Sequence, residues 1–159
     1  MNAIHSIDGM LVREMNRRCN YDRKQLEDCL KILATDHRPR VNLNLVDKTE
    51  MVLMSHMDLI TPASVRHMDI GFLTRLEDLI RTVTFNQSFE LVCVHDEYKA
   101  HANNMNVVRY WYKELLAELA DSHIMQSIIR QICNNDKITL DRASEDLGNY
   151  IRKSNYGLA

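Results

Sequence analysis

The stretch Phe89-Glu90-Leu91-Val92-Cys93-Val94-His95-Asp96-Glu97-Tyr98-Lys99-Ala100-His101-Ala102 decides how the rest of this chain is read. Its valines and aromatic residue over 89–95 favour a pleated strand. His95, Asp96 and Glu97 interrupt the apolar run, and Tyr98 to Ala102 can return as a second strand, giving a short hairpin. A carboxylate at a tight hairpin tip is held on rigid backbone and points into a cleft. That suits a divalent cation, which needs hard oxygen ligands in fixed geometry. Asp96 is therefore the first candidate metal ligand. The same pattern also fits a solvated polar turn that merely reverses two strands.

Downstream, Asn103 and Asn104 turn the chain and offer a cap to the next helix. That helix, 105–120, carries Val108, Trp111, Leu115 and Leu119 on one face. Asp121 and Ser122 offer another cap. Residues 123–133 place Ile124, Ile128 and Ile132 together, and Asp136 to Lys153 reads as a last helix with Leu140, Leu147 and Ile151. Upstream, Leu73, Leu76, Ile80 and Val83 predict a helix over 73–84. Thr61-Pro62 predicts a helix start that breaks near Gly71. Val41, Leu43 and Leu45 alternate with Asn42 and Asn44, which predicts a short strand. Pro39 ends a helix over 23–35, where Leu26, Cys29, Leu30 and Leu33 follow i, i+3, i+4, i+7 spacing. A first helix is expected over 10–19, with Ser6 or Asp8 as its cap. The fold class is thus α+β, mainly helical.

The chain has 159 residues, 45% hydrophobic and 26% charged, so one packed domain, or part of one, is expected. Four glycines and two prolines leave no visible linker. No apolar run approaches the ~20 residues of a membrane span. Cys19, Cys29, Cys93 and Cys133 form no C-x-x-C pair, the pattern of reduced thiols. His56 and His67 are expected to be ordinary surface or core histidines. The formal net charge is −2. A free-standing nucleic-acid binder usually carries a positive excess, because phosphate neutralisation supplies most of its affinity. A chain of this charge either holds no nucleic acid alone or relies on another polypeptide for basic surface.

Two motifs together resemble the single-subunit RNA polymerases of the bacteriophage and mitochondrial type. His5-Ser6-Ile7-Asp8-Gly9 resembles the family's His-Ser-x-Asp motif, and Val92 to Ala102 resembles the hairpin called motif C, whose core is His-Asp. The likeness continues through Val107–Leu119 and Ile124–Ile132 and ends in a short aromatic tail, Tyr156 to Ala159. It covers residues 4–18 and roughly 85–159.

The resemblance implies a partial polymerase palm in which a motif C hairpin is packed by helices. It implies that Asp96 is catalytic and binds Mg²⁺, that His5, Ser6, His95 and Tyr98 contact nucleic acid, and that Leu158 and Ala159 help shape the active site. Motif A, with the first catalytic aspartate, and motif B are not recognisable, and 159 residues leave no room for fingers and thumb. The expected partners are therefore a larger polymerase subunit carrying motifs A and B, the DNA template and the RNA product. His5 and His95 stand 90 residues apart where the family has a helix and a short turn, so 20–75 reads as an insertion within a single fragment, 1–159. No Arg-rich leader is seen, which points to a phage protein in the bacterial host cytoplasm. Two alternatives accompany this reading. The triplet His95-Asp96-Glu97 is typical of family A DNA polymerases, and a non-catalytic scaffold or regulator of a polymerase would also keep the shape.

Overall fold

The structure is a computed structural model that describes residues 3–43, 49–94, 97–142 and 144–155. It is mainly helical with one small antiparallel sheet. Six α-helices appear: α1 (Ala3–Cys19), α2 (Arg23–Ala34), α3 (Ile70–Phe85), α4 (Met105–Asp121), α5 (Ile124–Cys133) and α6 (Leu147–Lys153). Strands β1 (Val92–Val94) and β2 (Glu97–Lys99) form the sheet. No described helix is long and apolar enough to cross a membrane.

α1 begins about two turns earlier than its sequence suggests. Ile7, Leu11, Met15 and Cys19 are all buried at i+4 spacing, so the apolar stripe extends back through the His5–Gly9 motif. Ser6 and Asp8 are inside the helix and do not cap it. α2 follows its predicted span. The Asp22 carboxylate accepts from the Lys24 and Gln25 amides at 2.8 and 3.4 Å, satisfying two orphan donors of the first turn.

Val41 to Leu43 form no strand, and Asn44 and Leu45 lie outside the described residues. Among the described residues no strand pairs with 41–43. Thr61-Pro62 starts no α-helix: Thr61 closes a turn ahead of the 3₁₀ segment Ser64–His67, where its Oγ1 accepts from the Ser64 amide at 3.0 Å and its amide donates to Ser64 Oγ at 2.9 Å. α3 instead starts at Asp69, whose side chain accepts from the Phe72 amide at 2.8 Å, and it runs unbroken past Gly71.

α1 packs on α4, α2 on α3, and α4 on α6, while the 3₁₀ turn Met54–Leu59 fills the space between α1 and α3. One core joins them, with Met15, Leu33, Leu73, Ile80, Trp111 and Leu115 at its centre. Met51, Val52 and Met54 belong to this core, so residues from 20–75 share it with α1 and α4.

The last predicted helix is cut to its final third. Asn134 takes a left-handed conformation (φ 47°) that terminates α5, and residues 136–142 run as turn and extended chain, held where Arg130 Nε donates to the Ile138 carbonyl at 2.7 Å. α5 buries no residue fully: Ile128 packs against the core, while Ile132 is 62% exposed.

Candidate functional site

The hairpin is shorter than its sequence suggests, because Leu91 is already buried before the ladder begins and Ala100 lies after it ends. Its register is Val92↔Lys99, Cys93↔Tyr98 and Val94↔Glu97. The inward face carries Cys93 and Tyr98, both half-buried, and the Tyr98 ring meets the Tyr112 ring of α4 at 5.7 Å. The outward face carries Val92, Val94, Glu97 and Lys99, with Glu97 paired to Lys99 at 3.1 Å. His95 and Asp96, between the strands, lie outside the described residues, as do Leu158 and Ala159.

His5 and Ser6 are exposed on the first turns of α1. Neither makes a side-chain hydrogen bond among the described residues. The other end of α1 meets the base of the hairpin: the Phe89 amide donates to the Cys19 carbonyl at 2.9 Å. Burial, then the nearby Cys93, pushes the Cys19 thiol up to about 12, and burial pushes Cys29 up to about 11, so both thiols are held protonated at neutral pH. No group of three His, Cys, Asp or Glu side chains among the described residues is placed to hold a metal ion. The described residues alone therefore do not make a metal site. His56 is committed elsewhere, since its Nδ1 accepts from the Leu53 amide at 3.0 Å and burial lowers its pKa.

The sequence reading passed over a buried ionic network. Arg18 on α1 donates through Nε to Glu14 at 3.0 Å and through both terminal nitrogens to the Glu118 carboxylate of α4, at 3.0 and 2.8 Å. Its guanidinium carbon lies 5.0 Å from the Trp111 ring centroid. Glu14 also accepts from the Met54 amide at 2.7 Å. Glu14 and Arg18 are fully buried. Burial raises the Glu118 carboxyl above its ordinary value, and Arg18 opposes that rise. A signal was present: Leu11, Glu14, Met15 and Arg18 follow i, i+3, i+4, i+7, so two charged residues share the apolar face.

A second ionic clasp docks α6 on α4. Arg152 donates to Glu114 at 2.9 and 3.1 Å and to Asp121 at 2.9 Å, and Lys113 Nζ donates to the Ser154 and Arg152 carbonyls at 2.9 and 3.2 Å. Asp121 sits directly against the α-carbon of Gly148, where no side chain fits. The C-terminal helix is thus held by the same helix that follows the hairpin. No protein-family model matches the chain, and no curated protein is significantly similar to it.

Proposed function

We propose that this chain is the small C-terminal subunit of a split DNA-directed RNA polymerase of the bacteriophage type. The observation that carries the reading is the register of the hairpin. Val94 pairs with Glu97, so the two residues that join the strands are His95 and Asp96, the pair that the resemblance makes functional. Asp96 would contribute one Mg²⁺ ligand. The described residues supply no complete ligand set. On this reading the remaining ligands come from a larger subunit carrying motifs A and B. In such enzymes the metals stabilise the attacking and leaving oxygens of nucleotidyl transfer. The net charge of −2 fits a division of labour in which the partner carries most of the basic surface for DNA template and RNA product.

The neighbouring reading, a piece of a family A-like DNA polymerase, draws on Glu97. That carboxylate is exposed and paired with Lys99 at 3.1 Å. A scaffold role predicts that Asp96 can be changed freely.

The test is extension of an RNA primer on a DNA template by the complex that copurifies with this chain, wild type against Asp96→Asn, with ribo- or deoxyribonucleotides. The expected outcome is ribonucleotide addition that falls by about 10³-fold or more in an Asp96→Asn complex that still assembles. Equal extension by both would make the chain a scaffold, and preference for deoxyribonucleotides would move it to the DNA polymerase reading.

A further inference from the structure

A single imidazole closes the 3₁₀ turn Met54–Leu59. The Leu53 amide donates to His56 Nδ1 at 3.0 Å, and the His56 amide donates back to the Leu53 carbonyl at 3.0 Å. An N–H can donate to Nδ1 only while that nitrogen carries no proton, so the turn requires neutral His56 with its hydrogen on Nε2. The ring is half-buried, and its centroid lies 5.2 Å from that of Phe72 on α3. The cap also sits between two backbone groups that serve the buried ions of α1. On one side the Val52 carbonyl accepts from Arg18 at 3.5 Å, and on the other the Met54 amide donates to Glu14 at 2.7 Å.

The charges around the ring pull against this arrangement. Glu14 on α1 and Glu50 ahead of the turn both favour an imidazolium, while α3 meets the ring with Phe72. Burial outweighs the two carboxylates, so the pKa of His56 lies below its ordinary value. A proton on Nδ1 would set two N–H groups head to head and leave the Leu53 amide without its acceptor, a clash relieved only by separating them. The unfolded chain takes up this proton more readily than the folded one. The linked stability is therefore complete above the ordinary histidine value of about 6.5, falls as pH drops below it, and levels off below the lowered folded value.

We propose that His56 is an acid-operated latch: its protonation breaks the Leu53 cap and frees Met54–Leu59 from α1 and α3, while those helices keep their own hydrogen bonds. A six-residue 3₁₀ turn has little stability of its own, so its cap decides how often it opens. Met54 is buried, and its departure uncovers apolar surface on α1 and withdraws an amide from the Glu14 carboxylate. Opening of the latch therefore reaches the ionic network of Arg18 and Glu118 through Glu14. The inference does not rest on the polymerase reading.

The test is amide hydrogen exchange of the full chain at about pH 7.5 and about pH 5, corrected for the intrinsic pH dependence of exchange. In wild type the Leu53, Met54 and His56 amides are expected to open about tenfold more often at the lower pH, while Met15 of α1 and Leu76 of α3 stay protected. His56→Asn sets a non-titrating oxygen near the place of Nδ1, and its amides are expected to exchange alike at both pH values. His56→Phe keeps a ring for Phe72 but no acceptor, and its turn is expected to be open at both. Nitrogen NMR of the wild-type imidazoles supplies a check that needs no variant: His56 should carry its hydrogen on Nε2 at neutral pH. A Nδ1–H form there, unchanged exchange in wild type, a pH response in His56→Asn equal to that of wild type, or equal loss of protection in α1 and α3 would each overturn the proposal.

Discussion

Arg18 is shared by two carboxylates at once, its own side chain wholly buried. Glu14 and Glu118 each hold one side of its guanidinium, and Trp111 lies against its face. Removing one partner of a buried ionic group leaves the others uncompensated. Arg18→Met is expected to cost about 3–5 kcal/mol of stability, read from the denaturant midpoint at unchanged slope. Glu118→Gln has the opposite logic. Its carboxyl is raised by burial, so the stability linked to it is fully present below its ordinary value and is lost as pH rises through the raised one. Glutamine keeps the shape and lets Arg18 pair with Glu14 alone. The variant is expected to melt at or above wild type at pH 7, with the advantage shrinking as pH falls through the raised folded-state value, where wild-type Glu118 takes up its proton, and gone below the ordinary glutamate value of about 4.5. A melt several degrees below wild type at pH 7 would show that the charge on Glu118 is required.

At the level of elements, the helices whose stripes are strictly periodic were legible from the sequence, and those without a stripe were not. Leu26, Cys29 and Leu33 define α2, and Val108, Trp111 and Leu115 define α4, because each set falls on one face and is buried there. Residues 136–146 lack such a set: Leu140 is isolated and exposed, and the helix forms only from Leu147. α6 is too short to be stable by propensity and depends on its docking to α4. Gly148 is the point of closest approach, where a methyl group would collide with the Asp121 carboxylate. Gly148→Ala is therefore expected to destabilise this docking by about 1–3 kcal/mol, despite alanine's better helix propensity. Limited proteolysis after Arg142 checks it, with faster cleavage expected in the variant.

For the whole molecule, the sequence carried the helical class and the hairpin. It did not carry the tertiary ties, since nothing local in Val41–Leu43 says that a partner strand is missing, and nothing local in Glu14 says that the Met54 amide completes it. The candidate site was legible only as a motif: Tyr98 is seen packed on Tyr112 and His5 and Ser6 are seen on an exposed helical turn, while Asp96 and His95 lie outside the described residues.

The ties at the foot of the hairpin have a topological consequence. The chain departs after Cys19 and comes back at Phe89, and the two points touch, as do the Tyr21 amide and Ser88 Oγ at 2.9 Å. The intervening 20–88 is thus a closed excursion, and a splice across its mouth would need only a few residues. Such a splice would nonetheless be expected to fail as a minimal version of the protein. The excursion has lent the parent helices part of their interior: Val52 gives Arg18 a carbonyl and Met54 gives Glu14 an amide. What runs as a detour in topology is thus part of the foundation, because without it the polar side chains on the buried face of α1 lose a carbonyl and an amide that satisfy them.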